Sequence, residues 1–208
     1  MMQAKETKNR PMGKIQLAIK RTVDVVFSAI GLIVLSPAFL VISLLLWRQH
    51  NGPVFFRQER IGYGARPFTI YKFRTMSSVI EENGPQLVAA CDDKLSTPFE
   101  RFLRAHHLDE LPQLWNVLRG DMSFVGPRPE RKYYIDQIMA ADPSYERIYE
   151  MRPGVTSEAT LYNGYTDTME KMLRRLHMDI DYLERRSLWL DLKIIVKTAL
   201  NVGTGKKF

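Results

Sequence analysis

Cysteine is nearly absent from this 208-residue sequence, with Cys91 standing alone. That excludes an intramolecular disulfide framework and any CxxC metal site, and it suits a reducing compartment. Cys91 itself reads as structural or incidental. Also missing are a GxxxxGK[ST] phosphate loop, a zinc-ligand signature and a GxSxG nucleophile elbow. P-loop nucleotide hydrolysis, zinc chemistry and the α/β-hydrolase route therefore have no motif to carry them. The four histidines, including His106 and His107, form no metal-ligand spacing and read as polar surface. Internal repeats and low-complexity tracts are absent, and the length suits one domain with a real core.

The absence with the largest consequence is local. Residues 25–47, VVFSAIGLIVLSPAFLVISLLLW, run for 23 positions without a charged side chain. As a helix rising ~1.5 Å per residue, such a run could cross a ~30 Å hydrocarbon core. It is too long for the core of a signal peptide and no small-x-small cleavage site follows it, so the chain is expected to contact a membrane. Lys14, Lys20 and Arg21 precede the run and Arg48, Arg57 and Arg60 follow it, which puts both ends on the cytoplasmic side. Near its middle, Pro37 of Ser36-Pro37 removes a backbone donor and clashes with the preceding turn. A re-entrant hairpin satisfies both observations, with the Ser36 hydroxyl able to bond a carbonyl freed one turn back. A proline-kinked spanning helix is the alternative, and the residues alone leave both open. The first 21 residues carry six basic and one acidic side chain, suited to an anionic leaflet or to a disordered tail.

Lysine and arginine outnumber aspartate and glutamate by 30 to 23, favouring anionic partners without choosing among phosphates, acidic lipid and nucleic acid. After Gly52-Pro53, VFFRQERIG and PFTIYKFRTM are rich in aromatic and β-branched residues around the turn-like GYGAR, predicting a β-hairpin. Residues 77–97 are polar, contain Asn83-Gly84-Pro85 and read as a loop. A helix opens at Thr97-Pro98 with Phe99, Phe102 and Leu103 on one face, residues 110–119 continue helically, and further helices are expected near 130–150 and 166–202. The last of these sets Leu188, Trp189, Leu192, Ile195 and Leu200 against Asp191, Lys193 and Lys197. That pattern fits a membrane-interface helix and a core helix equally.

In HLDELPQLWNVLRG, the residues Leu111, Leu114, Trp115 and Leu118 share one helical face, which makes Asp109 an N-cap and places Pro112 in the first turn. That accounts for Asp109 but not for Glu110 beside it, and an ordinary helix start and a catalytic pair both remain open. Nearby cations bear on the choice. Arg128 lies between Pro127 and Pro129 on a stiff loop suited to bidentate phosphate binding. Lys72, Arg74 and Arg104 sit near candidate turns or element ends, and Arg152 lies in the turn-prone MRPG. Each alone is more often a surface charge than an anion ligand. Two carboxylates would repel a phosphate unless a divalent cation intervened, so a site built from these residues implies Mg²⁺ or a similar hard cation. One carboxylate could then coordinate while the other attacks phosphorus.

Six segments occur in order: KRTVDVVFSAIGLIVLSPAFL, GPVFFRQERIG, PFTIYKFRTM, LDELPQLWNVLRGDMSFVGPRPE, RPGVT and SLWLDLKIIVKT. Together, from about residue 19 to 200, they closely resemble the monotopic polyprenol-phosphate phosphoglycosyl transferases of the bacterial sugar transferase type. The resemblance implies an α+β, mostly helical fold. Its expected parts are a basic segment over 1–21, a re-entrant membrane hairpin over 22–48 broken at Ser36-Pro37, and a catalytic domain over 49–208. That domain would hold a small β-hairpin and amphipathic interfacial helices around an active site on the cytoplasmic face of the bacterial inner membrane. The extra multi-helix membrane domain of larger relatives is lacking, so a minimal catalytic unit is expected.

The implied reaction moves a phosphosugar from a UDP-sugar to a polyprenol phosphate such as undecaprenyl phosphate, releases UMP, and begins assembly of an O-antigen, capsule, exopolysaccharide or glycoprotein glycan. It runs in two ping-pong steps. Asp109 matches the family's nucleophile and Glu110 its Mg²⁺-associated partner, while Lys72, Arg74, Arg104, Arg128 and Arg152 match basic positions suited to diphosphate or polyprenol phosphate. Membrane lipid, downstream glycosyltransferases and a homodimer fit as further partners, and nucleic acid does not. One region departs: RPGVTSEATLYNGYT has Ser157 for a glycine, Thr160 for a glutamine, a shifted Asn163, and Tyr165 for an arginine. Donor specificity therefore does not carry over, and neither the sugar nor the glycan follows from the sequence. A membrane-tethered metal-dependent phosphohydrolase and a non-catalytic module binding anionic lipid or nucleic acid are the alternatives.

Overall fold

The computed structural model describes residues 12–50, 52–75, 97–164 and 166–203. Cys91, Tyr165 and all but the last residue of the loop expected at 77–97 lie outside them. The architecture is α+β and mostly helical.

Helix α1 (Lys14–Val34) begins inside the stretch read as a basic N-terminal segment and runs unbroken into the apolar one. It is followed at once by α2 (Ser36–Arg48), and the two are bent by 59°. The break has a local cause. Pro37 cannot donate to the Ile33 carbonyl four residues back, and the Ser36 hydroxyl takes that carbonyl instead at 2.8 Å. Leu35 and Phe39 keep their bonds to the Gly31 and Leu35 carbonyls at 2.9 Å, so the bend costs little backbone pairing. Among the described residues no single helix is long and apolar enough to cross a membrane, though the bent pair reaches that length and composition together. Its outer face exposes Phe27, Ile30, Ile33, Val34, Leu40, Val41, Leu44 and Trp47. Asp24 and Ser28 of α1 turn inward, and Asp24 accepts the Phe124 backbone N–H at 3.1 Å.

The expected hairpin is present as β1 (Phe55–Ile61) and β2 (Pro67–Phe73), antiparallel, with Phe56 opposite Lys72. Helix α3 (Pro98–Ala105) starts with a capping box in which the Thr97 hydroxyl accepts from the Glu100 N–H and the Glu100 carboxylate accepts from the Thr97 N–H. Helix α4 (Gln113–Arg119) packs along α1, Leu114 lying against Gly31.

A second sheet was not legible in the sequence. β3 (Ser123–Val125) and β4 (Gly154–Thr156) pair in parallel, joined through α5 (Lys132–Ala141) and a 3₁₀ segment, Pro143–Glu150. Three-residue strands leave no alternation to read. The two chains come very close where they leave the ladder. A Cβ on Gly126 would fall 2.3 Å from the Arg152 carbonyl oxygen, and one on Gly154 would fall 2.2 Å from the Gly126 nitrogen, so neither position admits a side chain.

The segment expected at 166–202 is two helices, α7 (Met169–Arg185) and α8 (Leu188–Gly203), preceded by the short α6 (Glu158–Asn163). Ile135, Ile138, Leu176, Leu183 and Ile194 from α5, α7 and α8 form the centre of the main core. Burial of such side chains contributes ~1.5–3 kcal/mol each. A second core joins Ile42 and Leu46 of α2 to Phe73 and Leu103, and a third holds Ile70 of β2 against Val117 and Met122. Leu108 and Leu111, on either side of the acidic pair, pack against the second core. The two openings left for α8 resolve into a split: Ile194 is buried in the core, while Trp189, Leu192, Val196 and Leu200 are exposed.

Candidate active site

The acidic pair lies in a 3₁₀ turn, Leu108–Glu110, entered through His107 at φ 53°. The expectation that Asp109 caps a helix beginning at residue 110 is corrected here. Helix α4 starts at Gln113, with Pro112 at the capping position and no side-chain cap bond. A capping Asp109 would accept from the N–H two or three residues on, and the third is Pro112, which has none. Bonds of the i to i+3 type, Leu111 N–H to Leu108 O at 3.3 Å and Leu114 N–H to Leu111 O at 3.1 Å, carry the chain instead. Released from capping, Asp109 is buried, and its Oδ1 has no hydrogen-bond partner among the described residues.

Glu110 differs from its neighbour in having cations in contact. Lys72, from β2, places Nζ 2.5 Å from Glu110 Oε1, and Arg128, from the Pro-Arg-Pro loop, brings Nη2 to 3.7 Å from the same oxygen. Arg104, at the end of α3, donates to the Thr75 carbonyl and also acts on Asp109. Burial pushes the Asp109 carboxyl above its ordinary range, with Lys72 and Arg104 opposing and the Glu110 charge adding to the rise. Burial works against the Glu110 charge as well, but Lys72 and Arg128 hold that carboxyl well below its ordinary range. Burial lowers His107. Two adjacent carboxyls are thus driven apart in proton affinity, the arrangement that lets such a pair divide roles.

Of the cations expected at the site, Lys72, Arg104 and Arg128 come together around the pair. Arg74 and Arg152 are engaged elsewhere. The Arg74 guanidinium is buried, donates to the carbonyls of Leu46 (3.0 Å), Pro53 (3.1 Å) and Gly52, and lies 3.5 Å from Glu100. It ties the end of α2 to the hairpin and to α3. Arg152 donates to the Gly120 carbonyl at 3.0 Å and stacks 5.4 Å over the Tyr63 ring.

Several supporting residues were not foreseen. Arg21 donates to the Val117 and Leu118 carbonyls at 2.6 and 2.9 Å, capping the end of α4. Glu130 accepts from Arg175 and lies 3.6 Å from Arg60, which also holds the Pro129 carbonyl at 3.2 Å. These contacts fix the loop that carries Arg128. Their partners lie tens of residues away in the chain, so no local pattern announces them. In the divergent segment, Ser157 caps α6 by accepting the Thr160 N–H at 2.9 Å, and Asn163 donates to the Lys171 carbonyl at 2.8 Å.

The donor set suits Mg²⁺, which takes one or two protein carboxylates and completes its shell with water and substrate phosphate. Asp109 offers a buried oxygen without a partner and Glu110 lies next to it. Among the described residues no group of three or more His, Cys, Asp or Glu side chains is placed to hold a metal ion.

The acidic pair, with Asp109 buried and Glu110 partly so, is ringed by lysine and arginine, side chains whose chemistry suits phosphate. The chain belongs to the bacterial sugar transferase family, whose model it matches over residues 15–205. It is 45% identical over 189 residues to the UDP-glucose:undecaprenyl-phosphate glucose-1-phosphate transferase of Caulobacter vibrioides, covering 89% of this chain and 70% of that one. An enzyme of the same name from Klebsiella pneumoniae is 40% identical over 190 residues, covering 90% of this chain and 41% of its own length. The UDP-N-acetylgalactosamine-undecaprenyl-phosphate N-acetylgalactosaminephosphotransferase of Aeromonas hydrophila is 37% identical over 187 residues, covering 90% and 44%. The chain thus spans less than half the length of the last two.

Proposed function

We propose that this protein transfers a sugar 1-phosphate from a UDP-sugar to a polyprenol phosphate, undecaprenyl phosphate in the relatives' names, and releases UMP. The observation that carries the reading is the asymmetry of the acidic pair: Asp109 is buried with Oδ1 unengaged, while the adjacent Glu110 is held ionised by Lys72 and Arg128. In the first step an Asp109 oxygen attacks the sugar-bearing phosphorus. The bond from that phosphorus to the bridging oxygen breaks, UMP departs, and an acyl phosphate to the sugar phosphate forms. In the second step a phosphate oxygen of the polyprenol phosphate attacks the same phosphorus, restoring the Asp109 carboxylate and yielding the polyprenyl diphosphosugar.

Lys72, Arg104 and Arg128 orient the diphosphate and offset its charge. Mg²⁺ would be held by Glu110 beside Asp109 and would supply further neutralisation of the diphosphate. The bent α1–α2 pair, with its exposed apolar outer face, would enter the cytoplasmic leaflet as a re-entrant hairpin. The exposed face of α8, with Lys193 and Lys197 beside Trp189 and Tyr162, would lie at the headgroups. A lipid-borne acceptor could then reach the acidic pair without leaving the bilayer surface.

Incubation with Mg²⁺, a panel of UDP-sugars and undecaprenyl phosphate tests the reaction. One equivalent of UMP per enzyme is expected with donor alone, and turnover beyond it only when the lipid is present. Sustained turnover without lipid would mean a phosphohydrolase, and no release with any donor would sink the assignment. Asp109→Asn should abolish the phosphosugar adduct seen by intact-mass spectrometry after incubation with donor alone. An adduct that survives the substitution removes Asp109 as nucleophile. For topology, cysteines placed near residue 10 and near residue 60 in a Cys91→Ser background should both resist an impermeant thiol reagent outside intact cells. Labelling at one end would indicate a spanning helix.

A further inference from the structure

Asn116, on α4 six residues after Glu110, is polar and fully buried. Its Oδ1 accepts the Tyr71 backbone N–H at 3.2 Å, and its Nδ2 donates to the Thr69 carbonyl at 2.7 Å and to Asp121 Oδ2 at 3.3 Å. Thr69 and Tyr71 are alternate residues of β2, whose other edge is paired with β1. In an antiparallel ladder the N–H and C=O of alternate residues point away from the partner strand. The Asn116 amide therefore takes the pair of groups that a third strand would take. Its own carbonyl accepts from Gly120, Asp121 and Met122, so the same residue closes α4.

This bolt joins the two elements that carry the best-formed contact of the site. Lys72 follows Tyr71 on β2, and Glu110 precedes α4. The neighbouring apolar contact, Ile70 against Val117 and Met122, is non-directional and would tolerate sliding of the strand. A side-chain amide bonded to one N–H and one C=O does not, and a slip of one residue would turn Lys72 to the opposite face of β2.

We infer that Asn116 is a positioning residue, setting the register of β2 on α4 and through it the contact of Lys72 with Glu110. The kinetic part of the test rests on the proposed function, and the structural part does not. Two variants are made: Asn116→Leu, which removes both bonds, and Asn116→Asp, which keeps size and acceptor but turns an oxygen towards the Thr69 carbonyl. Leu183→Ala, in the main core on α7, serves as a control for lowered stability. The coupling of Lys72 with Glu110 is read from thermal unfolding of Lys72→Met, Glu110→Gln and the double variant, in the wild-type and in each Asn116 background.

The coupling should be present in the wild-type background and lost in both Asn116 backgrounds. UMP release should fall about tenfold or more in kcat with donor KM changed less than about threefold, whereas Leu183→Ala lowers Tm and leaves kcat in place. Coupling that persists in either Asn116 background, or a kcat loss matched by Leu183→Ala, overturns the inference. Should the wild-type protein release no UMP with any donor, the proposed function fails while the coupling still decides the role of Asn116.

Discussion

Asp109 and Asp179 are both buried aspartates with an Oδ1 that has no partner among the described residues, yet their surroundings give them different work. Asp109 lies beside Lys72, Arg104 and Glu110. Asp179 faces Arg175, whose guanidinium is already committed to Glu130 and Thr166, and burial pushes its carboxyl up to about 7. Between the ordinary aspartate range and that value the folded chain keeps a proton the unfolded chain has released, so stability from this group falls as pH rises, by up to ~1.4 kcal/mol per pH unit. Asp179→Asn should therefore match the wild type near pH 4 and exceed it in Tm by a margin that opens towards pH 8. A Tm difference independent of pH would refute this. At this scale the sequence offered candidates without choosing among them. Lys72, Arg104 and Arg128 matched basic positions of the family, but so did Arg74 and Arg152, which carry the same charge and look no different until their carbonyl acceptors are located.

Elements were legible where their ends carry chemistry of their own. The break at Ser36-Pro37 follows from a missing N–H, α3 from the Thr97–Glu100 box, and the hairpin from its aromatic strands. What joins these elements was not legible. Arg74 is the clearest case, since it binds carbonyls at the end of α2 and in the residues leading to β1, and pairs with buried Glu100 of α3. Removing one partner of a buried ion pair typically costs ~3–5 kcal/mol, so Arg74→Met should lower Tm by roughly 10 °C. Adding Glu100→Gln should restore part of that loss, because the uncompensated charge is removed while an acceptor for the Thr97 N–H is kept. Equal Tm values for wild type and Arg74→Met would remove Arg74 as the clamp between these elements.

In the whole molecule, α1 is held to α8. Lys20 donates to Asp191 Oδ2 at 2.6 Å and to the Val125 carbonyl at 3.0 Å, and Asp191 accepts from the Tyr182 hydroxyl at 2.5 Å. Asp191→Leu should lower Tm by a similar amount in low salt and in about 0.5 M salt, because a buried pair is little screened. A loss that disappears in high salt would mean the pair is solvated. Lys20 and Arg21 thus serve the packing of α1 although their place in the sequence suggested flanking charges. The sequence by itself determined the helix break, α3 and the β-hairpin, because a proline, a capping box and strand composition act within a few residues of one another, and the order of its six segments pointed to the family. The tertiary structure alone decided which cations reach the acidic pair, that Asp109 does not cap a helix, and that β3 and β4 pair. Those outcomes depend on which distant carbonyls and carboxylates come within hydrogen-bonding reach, and folding sets those distances.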